Sequence, residues 1–171
     1  MVVNRSVKAV SFVAKSGTGK TTLVTKLISE LSSRGYRIGA YKASHHFDID
    51  QPGKDSYRMA EAGAVLTMIK SSEKLAFIQS EPTQLDIEAL LFRYFTEVDI
   101  VLVEGDKFGP LPKIEVCRCQ KSDSLLCRED MDSTYIAIAS DCPVDVVGLS
   151  LPLLDLNRPE QIADFIIDRF L

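Results

Sequence analysis

The sequence predicts an α/β fold: a mostly parallel sheet flanked by helices, with an added antiparallel β-hairpin. Three observations carry that expectation. Residues 10–22, V-S-F-V-A-K-S-G-T-G-K-T-T, run from an apolar strand through a Gly-containing loop straight into a helix. Residues 37–43, R-I-G-A-Y-K-A, supply a second strand, and strand, helix, strand at this spacing means a right-handed crossover between parallel strands. Residues 99–105, D-I-V-L-V-E-G, read as a further buried strand, apolar along most of its length.

Size and composition agree with this class. At 171 residues and 46% apolar content the chain suits one domain, residues 1–171, with a real core. Its net charge is −4 and its Lys and Arg residues are scattered, so a nucleic-acid partner is not expected. The first apolar run, residues 7–14, is too short to span a membrane and flows into the Gly-containing loop, so it reads as neither signal peptide nor anchor. A cytoplasmic protein without membrane contact is the expectation. The cysteines, Cys117, Cys119, Cys127 and Cys142, are too few for a disulfide scaffold and are expected to be free thiols in a reducing compartment. A C-x-C metal pair at Cys117 and Cys119, on one face of a strand, is the alternative.

Taken in order, residues 7–13 form the first strand. The helix after the loop carries Leu23, Leu27 and Leu31 on one stripe, with Val24 and Ile28 beside it, and stops at Gly35. After the second strand comes a polar stretch with a Pro52-Gly53 turn, then a short helix over 56–61 ending near Gly63. Strand-like runs at 64–69 and 75–79, joined through 71–74, make the antiparallel hairpin. Thr83 with Asp86 resembles a capping box for a helix carrying Leu85, Ala89 and Leu90. Residues 113–119, K-I-E-V-C-R-C, alternate, and 124–127 are expected to pair with them as a second hairpin across 120–123. Residues 135–140 are a core strand, and Asn157 is expected to cap a last helix over 158–171.

The chemistry concentrates where strands end. A nucleoside triphosphate needs backbone N–H donors more than side chains, and Gly17 and Gly19 let a loop turn its amides inward without a Cβ in the way. Lys20 would place a point charge on the β- and γ-phosphates, Thr21 would offer its hydroxyl to Mg²⁺, and the helix N-terminus would add its positive dipole end. This is the P-loop pattern, with Ala14 where G-x-x-x-x-G-K-[ST] has its first Gly. Lys15, Ser16, Gly17, Thr18, Gly19, Lys20, Thr21 and Thr22 are the candidate nucleotide-binding set. Lys15 also matches the extra lysine of the deviant Walker A motif, which reaches a partner subunit's nucleotide, although a solvated loop lysine is the preferred reading.

Three acids complete the candidate site. Asp99 opens the 99–105 strand and Glu104 closes it, about 16 Å apart at ~3.3 Å per residue, so only Glu104 reaches the carboxyl edge, where open parallel sheets bind ligands. The stretch 44–56, S-H-H-F-D-I-D-Q-P-G-K-D-S, leaves the second strand at that edge. From it Asp48 joins Glu104 as a candidate catalytic acid, and Thr21, Glu104 and Asp48 are the candidate Mg²⁺ set. His45 and His46, being adjacent, would make a poor zinc site alone. Asp141, after the 135–140 strand, is where guanine-specific P-loop proteins keep their base-reading aspartate, although no N-K-x-D sequence occurs.

Together the motifs resemble the MobB-type molybdopterin-guanine dinucleotide biosynthesis adapter proteins. The matching stretches are S-G-T-G-K-T-T-L at 16–23, K-A-S-H-H-F-D-I-D-Q-P-G-K-D-S at 42–56, A-G-A at 62–64, V-E-G-D-K at 103–107, P-K-I-E-V at 112–116 and A-S-D at 139–141. Ala43 departs from the family's usual K-H-T-H-H. The resemblance implies a homodimer that binds GTP with Mg²⁺ and works with a MobA-type guanylyltransferase when GMP is joined to molybdopterin. It also implies weak hydrolysis, which fits the lack of any arginine in the P-loop, the 44–56 stretch or the Glu104 loop; Arg58 is the nearest in sequence. A P-loop small-molecule kinase would need a lid with paired arginines, and the arginines here are dispersed. A nucleotide-gated dimeric scaffold acting without MobA is the third reading.

Overall fold

The computed structural model describes residues 7–44, 46–80, 84–121, 124–130 and 132–171. In chain order the elements are β1 (Ala9–Val13), α1 (Lys20–Ser33), β2 (Ile38–Lys42), α2 (Asp55–Glu61), β3 (Leu66–Lys70), β4 (Leu75–Gln79), α3 (Ile87–Tyr94), β5 (Ile100–Glu104), β6 (Lys113–Cys117), α4 (Leu126–Asp130), β7 (Tyr135–Ser140), β8 (Leu153–Asp155) and α5 (Pro159–Phe170). The chain divides into two compact units, one comprising residues up to Ala43 together with Ile87–Leu171, the other Ser44–Asp86.

The larger unit holds a six-stranded sheet in the order β2-β5-β1-β6-β7-β8, and every pairing in it is parallel. Its strands are apolar on both faces because helices cover both. Val10, Phe12, Leu102 and Ile114 pack with Leu23, Leu27 and Leu31 of α1 and Ile162 and Ile166 of α5. On the opposite face Ala9, Val101 and Val103 meet Ile87 and Leu91 of α3. A third cluster joins Val13, Cys117, Tyr135 and Ile138 to Leu126 and Cys127 of α4. Each such aliphatic side chain contributes roughly 1.5–3 kcal/mol on full burial, so this double cover is what fixes the loops at the carboxyl edge.

The smaller unit is the expected antiparallel hairpin, Met68 opposite Phe77, preceded by α2 and the 44–54 stretch. Leu66, Met68, Leu75 and Phe77 lie on one face of that two-stranded sheet and are exposed.

Three local expectations are corrected. Residues 124–127 do not pair as a hairpin with β6; Leu126–Asp130 form α4, and β6 lies parallel between β1 and β7. The reason is a buried acid. Glu115 sits on β6 and accepts the Leu126 N–H at 2.7 Å and the Cys127 N–H at 2.9 Å, capping α4 where its amides need partners. The last helix begins with Pro159 after an Arg158 cap rather than an Asn157 cap, with proline's fixed φ suited to the first helical position, and the Asn157 N–H is taken by the Asp155 carboxylate at 2.8 Å. The cysteines are not all free: Cys119 and Cys142 are joined in a disulfide, while Cys117 and Cys127 are buried thiols. The alternative of a C-x-C pair on one strand face fails too, since β6 ends at Cys117. His45, Thr83 and the tip of the second expected hairpin, Ser122 and Asp123, lie outside the described residues. Among the described residues no helix is long and apolar enough to cross a membrane.

Candidate functional site

β1 delivers the chain to a loop whose shape its glycines permit. Gly17 and Gly19 take left-handed φ values of 75° and 89°, and a Cβ at Gly17 would project into open space. α1 then starts at Lys20, with no side-chain cap and no acidic residue in its first turn. Among the described residues no side chain caps its first amides. Thr18 is buried and donates its hydroxyl to the Lys15 carbonyl at 3.0 Å, bracing the loop from within. Ser16, Thr21 and Thr22 are exposed on its outer side.

One side of the loop is built from β2 and β5. Glu104 ends β5 in register with Phe12 of β1 and Lys42 of β2. Its Oε1 accepts the Thr21 hydroxyl at 2.8 Å and the Lys42 ammonium lies 3.4 Å from the same oxygen. The Lys20 ammonium donates to the carbonyls of Ala14 at 3.3 Å and Lys15 at 3.4 Å. Burial holds the Lys20 pKa below the usual lysine range; Glu104 opposes that shift and Lys42 adds to it. Asp99, at the other end of β5, accepts the Arg37 amide at 2.7 Å, so the two strand-end acids are separated as the extended geometry requires. Ala43 continues the ladder, its N–H donating to the Glu104 carbonyl at 2.9 Å.

The other side is built from β6 and β7, and the sequence did not disclose it. Arg118 follows β6, donates through Nε to the Thr18 carbonyl at 2.8 Å, and reaches the Asp141 carboxylate through a terminal nitrogen at 3.1 Å. Asp141 also accepts the Cys119 N–H at 3.1 Å, so both its oxygens are engaged. No arginine lies within the P-loop, the 44–56 stretch or the Glu104 loop, as read from the sequence, yet Arg118 reaches the Gly-containing loop from beyond β6. The signal that would have found Arg118 is the pairing of β6 beside β1, which places the residue after β6 beside the loop after β1. Lys15 turns toward α4, donating to the Ser124 hydroxyl at 2.7 Å with the Glu129 carboxylate at 3.3 Å.

A further residue escaped the sequence reading. Asp106, two residues past Glu104, is held at φ 60°, a left-handed conformation that costs a non-glycine residue roughly 1–3 kcal/mol. Its buried Oδ2 has no hydrogen-bond partner among the described residues, and burial pushes its pKa up against the opposing charge of Lys113. A Cβ at Gly109 would collide with this carboxylate, so the Gly105–Gly109 turn is shaped around it. Asp48 belongs to the smaller unit, where it is exposed and lies 3.3 Å from the His46 imidazole.

The chain is similar to known proteins over almost its whole length. A family model described as MobB, molybdopterin guanine dinucleotide synthesis protein B, matches residues 9–141. The molybdopterin-guanine dinucleotide biosynthesis adapter protein of Escherichia coli is 41% identical over 165 residues, covering 92% of this chain and 90% of that protein. Its counterpart in Haemophilus influenzae is 37% identical over 166 residues, covering 96% and 90%. A crystal structure of molybdopterin-guanine biosynthesis protein B superposes with a TM-score of 0.73 at 26% identity, covering 94% of this chain and 98% of the other. The Bacillus subtilis MobB structure, at 24% identity and a TM-score of 0.71, shares the fold over 96% and 98%. The six-stranded parallel sheet, the separate hairpin, the Gly17–Gly19 loop and the strand-end Glu104 thus occur in a chain that belongs to the MobB family of molybdopterin-guanine dinucleotide biosynthesis adapter proteins.

Proposed function

We propose that this chain binds GTP with Mg²⁺ at its P-loop and acts, as a homodimer, beside a MobA-type guanylyltransferase when GMP is joined to molybdopterin. The observation that carries the nucleotide reading is the contact between Thr21 and Glu104. It places a hydroxyl and a carboxylate together at the first turn of α1, next to Lys20 and next to amides that no side chain caps. Hard oxygen donors of this kind suit Mg²⁺, which keeps most of its waters and is held through few protein groups. Lys15 to Thr22 would surround the phosphates, and Thr21 and Glu104 would hold the cation's shell. Bound Mg²⁺ supplies charge neutralisation on the phosphate oxygens.

Glu104 accepts one hydrogen bond from Thr21 and faces Lys42, an arrangement suited to orienting a water. Arg118 is held by Asp141 and by Thr18 and is therefore not free to swing onto a transferring phosphoryl group. Both features favour slow hydrolysis and a role in presentation over one in turnover. The homodimer is supported by the exposed face of Leu66, Met68, Leu75 and Phe77, which a second copy would cover.

The test is calorimetric titration of GTP and ATP with and without Mg²⁺, followed by capture of a MobA-type guanylyltransferase on the immobilised chain. Binding of GTP that strengthens with Mg²⁺, and nucleotide-dependent capture, are expected. Equal indifference to both nucleotides would dismiss the GTP reading, and transfer of the γ-phosphoryl group to a small metabolite would replace it with the kinase.

A further inference from the structure

Cys119 and Cys142 stand at equivalent places on neighbouring strands. β6 and β7 pair in parallel with Cys117 opposite Ser140, and each cysteine lies two residues past that final pair. Their Cα atoms are 6.2 Å apart, inside the range a disulfide spans without moving the backbone. Between strand end and sulfur on each side lies one residue, Arg118 on one and Asp141 on the other. These two form the ion pair that bears on Thr18 of the loop. The covalent bridge therefore brackets the contact holding one wall of the Gly-containing loop.

Access separates this pair from the other two sulfurs. Cys119 is exposed at the rim of an open cleft of about 400 Å³ and Cys142 is half-buried, whereas Cys117, at the floor of the same cleft, and Cys127 are buried. Burial, with Glu115 alongside, pushes the Cys127 thiol up to about 12, which makes it inert.

We propose that Cys119 and Cys142 form a reversible thiol–disulfide site that sets the rigidity of the Gly-containing loop through Arg118 and Asp141. The oxidant class is a low-molecular-weight disulfide. The Cys119 thiol loses its proton to solvent, and the thiolate attacks one sulfur of the small disulfide, forming a mixed disulfide and releasing one small thiolate. The Cys142 thiolate then displaces the second small thiolate and closes the intrachain bond. Two small thiols are produced, having taken up two protons, and the protein has lost two electrons and two protons. Closed, the bridge fixes Arg118 against Asp141; opened, it frees both loops to move apart and the Thr18 carbonyl loses its brace.

The experiment equilibrates the full chain in glutathione buffers of graded poise, then counts alkylated thiols by mass and follows amide exchange across residues 14–21. Oxidation is expected to protect Cys119 and Cys142 alone and to slow exchange in the loop about fivefold or more, the lower range of typical coupling between sites. Cys142→Ser should abolish both changes, and Arg118→Ala should keep the disulfide while removing its effect on the loop. Continued alkylation of both cysteines at the most oxidising poise, or identical exchange in the two forms, would overturn the proposal. So would stoichiometric zinc retained by the reduced chain with both sulfurs protected, since the Asp141 carboxylate lies close enough to complete such a site. Only a further effect on Mg–GTP affinity rests on the nucleotide reading; loss of all nucleotide binding would sink that reading while leaving the alkylation and exchange results to decide this one.

Discussion

The two walls of the Gly-containing loop are held in different ways. On the β5 side a hydroxyl and an ammonium meet at one carboxylate oxygen, all on residues at or next to the ends of regular elements: Thr21, Lys42 and Glu104. On the β6 side an arginine and an aspartate beyond the strand ends brace a main-chain carbonyl, and a disulfide brackets them. On the nucleotide reading proposed above, the first wall would offer its groups to a ligand. The second holds the loop in place, which suggests that chemistry and stiffness are assigned to opposite neighbours of β1.

The largest test of this division is Lys20→Ala, which should cost triphosphate affinity about 100-fold, the equivalent of ~3 kcal/mol for a charged hydrogen-bonding group. Titration calorimetry would read it, and unchanged affinity would remove the distinction between the walls. Next, Glu104→Gln should lower residual hydrolysis about tenfold or more while shifting nucleotide affinity much less. Equal losses in both would make Glu104 a binding group only. On the bracing side, Arg118→Ala should weaken binding only about fivefold, as for one ordinary hydrogen bond, with faster amide exchange in residues 14–21. Asp141→Asn should resemble it; a relaxed preference for GTP over ATP would instead give Asp141 the base-reading role.

The smallest effect concerns acid. Lys113 is fully buried at the start of β6 and donates to Asp132 at 2.9 Å, to the Gly109 carbonyl at 2.6 Å and to the Thr134 hydroxyl. That ammonium, with the Thr134 amide second, holds the Asp132 carboxyl down to about 2. A depressed carboxyl contributes stability above the ordinary carboxylate range, which is lost as pH falls from about 4 toward 2. Amides of β6 and β7 should therefore lose protection at pH 3 before those of β1 and β5, and simultaneous loss would argue against the two walls being separate units of stability.

What the sequence made legible follows the same line. The strand, loop and helix around Lys20 are written in consecutive residues, and Glu104 could be chosen over Asp99 by counting along one strand. Arg118 could not, because its place depends on β6 lying beside β1, a pairing set by how the whole sheet packs. α4 was hidden for a related reason: a five-residue segment, L-C-R-E-D, carries little helical signal, and its cap is Glu115, eleven residues away on another element. β8, three residues long, is an edge strand that exists through its ladder with β7. Asn157 looked like a cap by type, yet Asp155 turned its amide into the preceding loop.

The burial of Cys127 and Cys117 has a practical side. A maleimide fluorophore added to the reduced wild-type chain would find its targets only after β6 and β7, next to the Arg118 that holds the Thr18 carbonyl, so a dye there would report on the loop without any residue being engineered.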